Sequence, residues 1–210
     1  MFKVRLLIAS DSEKYETLQR LCLTHQNDFS AREEAYRWYE FMNRYPALGV
    51  FENENLISIL RLEWHNDWRA LNFQMQSNMI FNKIQFPVGY TCKVATHPDK
   101  MKLGLNGLLR YHAIKICLAK KVRYLFGTMI KGSARVNSLH EMGYVSIENP
   151  KLWEGYYQSK TPALICYLDL EKNSQTALHY LKSKHQNLIE NSVCEFEHQH
   201  VSFLDKIGAA

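Results

Sequence analysis

The chain of 210 residues is sparing with the residues that punctuate or staple a fold, holding 9 glycines, 5 prolines and 5 cysteines. So little glycine and proline excludes collagen-like and low-complexity disordered readings. Cys22, Cys92, Cys117, Cys166 and Cys194 are odd in number, widely spread and lack C-x-x-C spacing. That excludes a disulfide framework, and the reading is reduced, buried thiols in a cytoplasmic protein. No run approaches the ~20 apolar residues of a membrane span. The apolar stretch within Met1–Ser10 is too short for a signal peptide. Basic and aromatic residues do not interleave in a recognisable motif, which argues against nucleic acid.

What is present is ample apolar material. At 46% hydrophobic, the chain can bury a full core and needs no staples. The net charge of +5 is modest, but Lys93, Lys100, Lys102, Lys120, Lys121, Arg123, Lys131 and Arg135 crowd around one central segment. A solvated face is the plain reading. The sharper one is a field for an anionic partner, either a nucleotide phosphate or an acidic carrier protein.

Local patterns divide most of the chain. Lys3–Ser10 alternates as a strand, and Ser10 with Glu13 forms a capping box before a helical stripe at Tyr15, Leu18, Leu21 and Cys22. Ser30 and Glu33 repeat the box before a second helix that Pro46 ends. Leu48–Glu52 and Leu56–Trp64 read as a hairpin turning at Asn53-Glu54-Asn55. The segment from Asn66 to Gly89 is long and apolar, so it is extra structure or a functional cover. Tyr90–Thr96 is a strand, Leu105 to Cys117 a helix, Tyr124–Ile130 a strand and Ser133–Met142 a short helix ended by Gly143. Tyr144–Ile147 and Ala163–Leu170 complete a mixed sheet, because the crossover from 90 to 130 implies parallel pairing. Ala177, Leu178, Leu181, His185, Leu188 and Ile189 then mark a C-terminal helix with a loose tail.

The turn between Pro98 and Leu105 lies where a strand feeds a helix N-terminus. Unpaired N–H groups and the positive end of the helix dipole converge there, which suits phosphate or diphosphate.

With this turn in place, the element order resembles the GNAT superfamily of acyltransferases over residues 1–170, leaving 171–210 as a C-terminal helix and tail. The family's motif is V-x-P followed by R/Q-x-x-G-x-G/A. Here the strand reaches Pro98, and Gly104 matches the first glycine by its distance. Met101 replaces the Arg or Gln, Asn106 takes the second glycine's place, and Gly107 comes one step late. The resemblance implies an α/β fold, a mixed and mostly antiparallel twisted sheet flanked by helices. It also implies an acyl-CoA co-substrate, such as acetyl-CoA, held by Val94, Ala95, Met101, Lys102, Leu103, Gly104, Leu105, Asn106 and Gly107. Many members carry a tyrosine acid where this chain has Leu139, and an asparagine where it has Gly132.

Acyl transfer to an amine needs a path for the amine's proton, because an alkylammonium pKa is ~10.4. Glu63 and His97 are the candidate catalytic residues, and Arg61 and Arg69 could bind a substrate carboxylate. A plain solvent-facing Arg61-x-Glu63-x-His65 row is the favoured alternative. His97 reads equally well as a strand-end histidine, and Cys92 as a core thiol. Cys194, His198 and His200 match no strong zinc spacing, so no metal is expected.

Three functions remain open. One is an N-acyltransferase using acyl-CoA on a small-molecule or protein amine. Another is a long-chain enzyme of the N-acyl amino acid synthase type, fed by acyl carrier protein that Lys120, Lys121 and Arg123 could meet. The third is a GNAT-folded binding protein without catalysis, with the C-terminal helix as a docking or homodimer element.

Overall fold

The computed structural model describes residues 1–24, 29–31, 46–75, 77–79, 82, 84–149, 157–159 and 163–196. Its elements are β1 (Phe2–Leu6), α1 (Ser12–Thr24), β2 (Phe29–Ala31), β3 (Ala47–Glu52), β4 (Asn55–His65), α2 (Trp68–Met75), β5 (Val88–Thr96) and α3 (Leu105–Ala119). There follow β6 (Tyr124–Ile130), α4 (Arg135–Glu141), β7 (Val145–Glu148), β8 (Tyr157–Ser159), β9 (Ala163–Asp169), α5 (Leu170–Glu190) and β10 (Ser192–Cys194). Eight strands form one sheet in the order β10-β1-β3-β4-β5-β6-β9-β7, while β2 and β8 pair separately. The β1–β10 and β5–β6 pairings are parallel, and the remaining pairings in the large sheet are antiparallel. This is the mixed, mostly antiparallel sheet that the patterns imply.

The hairpin follows from its turn. Asn53 and Glu54 both take positive φ, at 49° and 64°, as a two-residue turn matched to the strand twist requires. The alternation of β4 then assigns two faces. Leu60 and Leu62 pack with Leu105, Leu108, Leu109, Cys117, Ala177 and Leu181, so α3 and α5 cover that side. Ile59 faces α1 through Tyr15, Leu18 and Cys22. Leu71 and Met75 of α2 cover Val88, Tyr90, Phe126 and Ile165 on the same side, with Trp68, Met79, Ile84 and Phe86 packed around them. The apolar segment from Asn66 to Gly89 is thus largely core cover.

Several local expectations are corrected. The strand ends at Leu6 and a short 3-10 turn, Ala9–Asp11, runs into α1: the Asp11 carboxylate reaches back to accept from Ile8 N at 2.9 Å and from both terminal nitrogens of Arg5 at 2.7 and 2.8 Å. Both carboxylate oxygens are thus engaged, in a two-pronged charged pair with the guanidinium and one backbone bond. Ser30 lies in β2, paired with Gln158, so it starts no helix; Glu33 and the helix expected after it lie outside the described residues. The segment after α5 is also more than a loose tail, because Ser192–Cys194 pairs with Phe2–Val4. None of the five cysteines is in a disulfide. Among the described residues, no helix is long and apolar enough to cross a membrane.

Candidate functional site

The site begins where two parallel strands part. β5 pairs with β6 only over Gly89, Tyr90 and Thr91, although β5 continues to Thr96 and β6 to Ile130. Past that point, among the described residues, β5 pairs with no strand but β4, while Gln19 and Cys22 of α1 donate to Lys93 O and Thr96 O. That ladder slips between its Ile59–Ala95 and Arg61–Cys92 pairs, where Lys93 takes φ +51°. Such a bulge bends a strand and interrupts its ladder. The result is a slot between β5 and β6 with a bulge on its wall.

The slot leads to the turn before α3. His97 N donates to Ile57 O at 2.9 Å, and Asp99 N donates to the His97 ring Nδ1 at 3.3 Å. His97 therefore caps the short 3-10 turn Pro98–Lys100, and Lys100 is tied to Glu52. Lys102 and Gly104 follow with φ of +68° and +82°, a conformation glycine adopts without strain. The first intrahelical bond runs from Leu108 N to Gly104 O, so the N–H groups of Leu105, Asn106 and Gly107 lie ahead of the ladder at the positive helix end. Leu105 is buried, Asn106 and Gly107 are half-buried, and Met101, Lys102 and Leu103 are exposed around the mouth. Val94 packs toward α3 and Ala95 toward α1. The structure thus brings the residues proposed for the donor into one region.

On the opposite face lies a buried charged row, which replaces the solvent-facing row favoured above. Arg61, Glu63 and His65 are 7%, 0% and 3% exposed. The alternation of β4 is the same for both outcomes; the cover from α1 and α2 decides between them. Arg61 is ion-paired to Glu63, His65 Nε2 lies 3.2 Å from Glu63 Oε2, and the Cys92 thiol donates to Glu63 Oε1 at 3.1 Å. Burial opposes the charge on Glu63, but His65, Arg61 and Cys92 outweigh it and hold the carboxyl below its usual range. Burial pushes the Cys92 thiol up to about 12, so this is an inert thiol.

The candidate substrate arginines are not brought together. Arg61 is committed to Glu63 inside the sheet, whereas Arg69 is exposed on α2. Lys93, at the bulge, is the group that sequence reasoning passed over as one of a basic crowd. Burial, and next the Arg61 charge, draw its ammonium down to about 7. Only the fold reveals this, since the bulge and the buried guanidinium are both needed.

Leu139 is 3% exposed in the core beside Met142 and Tyr144, so α4 presents no acid at that place. Cys194 Sγ lies 3.7 Å from His112 Nδ1, while His198 and His200 lie outside the described residues. Among the described residues no group of three or more His, Cys, Asp or Glu could hold a metal. The basic corner at Lys120, Lys121 and Arg123 sits past the far end of α3 from Gly104, about 22 Å away for a 15-residue helix. Arg123 there is paired with Asp169 and Glu171, and Lys120 lies over the Trp64 ring.

Neither a protein-family model nor a curated protein sequence matches the chain. Solved structures do. FeeM, an N-acyl amino acid synthase from uncultured soil microbes, superposes with a TM-score of 0.62 at 13% identity, over 86% of this chain and 98% of that one. An acetyltransferase of the GNAT family from Streptococcus pneumoniae gives 0.54 at 16% identity, over 80% and 98%. The protein yncA from Salmonella typhimurium, solved with its cofactor acetyl-CoA, gives 0.55 at 15% identity, over 81% and 94%. The fold of this chain is the GNAT fold.

Proposed function

We propose that the chain is an N-acyltransferase that moves an acyl group from acyl-CoA to a primary amine by direct attack. The observation that carries this reading is the slot between β5 and β6 ending at the Gly104 turn. An extended pantetheine arm can add to the β5 edge there, with its diphosphate at the N-terminus of α3.

The residues then divide the work. The bulge at Lys93–Val94 offers a backbone N–H to the developing oxyanion, an interaction stronger in the transition state than in the thioester. Lys93 takes the amine's proton, since a base with a pKa near 7 is matched to neutral pH. Glu63 is the anion that holds Arg61, His65 and Cys92 in place behind it. His97 holds the turn that aims the cradle. A thiol of pKa ~8.5 departs as thiolate without a dedicated acid, which accommodates Leu139.

Acyl-CoA is favoured over a carrier protein because the basic corner lies at the far end of α3 from Gly104, and Arg123 within it is engaged by Asp169 and Glu171. Calorimetry with acetyl-CoA and longer acyl-CoAs tests the donor, and release of CoA thiol in an amine screen tests the reaction. Micromolar binding with turnover is expected. No binding at millimolar CoA would end this reading.

A further inference from the structure

Gly104 and Gly107 share one neighbour, and it comes from outside the resemblance. A Cβ at Gly104 would lie 2.5 Å from Nδ1 of His185 and 2.9 Å from Cε1. A Cβ at Gly107 would run into Nε2 and Cδ2 of the same ring. The imidazole is therefore packed against two residues that have no side chains. Neither glycine can be replaced without moving it.

Helix α5 departs from its own geometry to put the ring there. His185 has φ −132° and ψ 26°, non-helical values inside the run Leu170–Glu190. The break falls at the residue whose ring lies against Gly104 and Gly107. The placement is also anchored from both sides. Ala177 and Leu181 are buried ahead of it, and behind it Ser192–Cys194 pairs with β1. The backbone that carries the ring is thus secured on both sides. No hydrogen bond among the described residues involves its nitrogens. Burial, and then Lys184, hold its pKa below the ordinary value, so it rests neutral against the positive end of α3.

We propose that His185 is a donor-binding residue, closing the cradle from the C-terminal helix and donating a ring N–H to the diphosphate of acyl-CoA. The inference rests on the acyl-CoA reading above and adds a residue to it. It also accounts for the displaced second glycine. Gly107 is needed for the ring to approach, so its place in the helix follows α5.

The test is calorimetry with CoA on the full chain, run beside NMR of the histidine rings. The expected result is a roughly tenfold weaker Kd for His185→Ala, the size of one hydrogen bond to a charged group, with an unchanged melting temperature. The ring signal missing from His185→Ala should shift in the wild type on adding CoA, but not on adding pantetheine, which lacks phosphate. Gly107→Ala should also weaken CoA, yet add nothing on top of His185→Ala, because the clash needs the ring. If wild type binds CoA and His185→Ala binds it equally, this inference falls while the acyl-CoA reading stands. A ring signal that stays still at saturating CoA, or moves equally with pantetheine, overturns it as well. If wild type fails to bind CoA, both fall together.

Discussion

The two faces of the sheet solve opposite problems. On the α3 side the site is backbone: a parted strand, glycines and a helix terminus, with the surroundings filled by leucine and isoleucine. On the α1 and α2 side it is side chains, with a guanidinium, a carboxylate and an imidazole buried together and a half-buried thiol beside them. A backbone site loses its function when a Cβ appears and keeps most of its stability. A buried ionic row does the reverse, since removing one partner strands the other's charge.

The sharpest break in that comparison is expected at the point where the faces meet. Lys93→Met should lower kcat by about 10²–10⁴-fold, the usual worth of a general base, and leave the melting temperature nearly unchanged. In the wild type the rate should rise with pH through about 7 as the ammonium is lost, and that limb should vanish in the variant. Next comes Arg61→Met, expected to cost about 3–5 kcal/mol in urea denaturation because Glu63 is left charged and buried. If it costs less than about 1 kcal/mol, the row is not a coupled unit.

Glu63 gives the same row a pH signature. Its folded pKa is lowered, so its stabilisation is complete above the ordinary carboxylate pKa of about 4.3 and is lost as pH falls through the folded value. Glu63→Gln should flatten the acid limb of stability measured between roughly pH 5 and 2. The backbone side is probed by a pair. Gly104→Ala and Gly132→Ala impose similar left-handed strain, at φ +82° and +83°, of about 1–2 kcal/mol. Only Gly104 has a ring above it, whereas the space over Gly132 is open, so only Gly104→Ala should also impair CoA binding. The smallest effect belongs to the surface. Lys131→Ala removes a half-exposed pair with Glu148 and should change stability by no more than about 1 kcal/mol.

How legible each side was follows from what its residues answer to. The strands, α3 and the glycine turn show in the sequence because local periodicity and positive φ are decided by neighbours along the chain. The row at Arg61, Glu63 and His65 alternates as a wet strand does, and its burial depends on α1 and α2 arriving from elsewhere in sequence. Lys93 reads as one lysine among many until a bulge and Arg61 surround it. His185 reads as one more member of an apolar stripe, since nothing in the helix pattern points to residues 104 and 107. Tertiary approach, more than propensity, settled each of these.

The parallel pairing of β10 with β1 bears on how the molecule is made. Because translation runs N- to C-terminus, β1 leaves the ribosome with its outer edge bare and stays so until almost all of the described chain has followed. An unguarded edge is an invitation to another nascent chain. The strand that closes it also trails the helix carrying His185. A ribosome stalled before residue 192 would therefore leave the sheet edge open and one end of α5 unsecured.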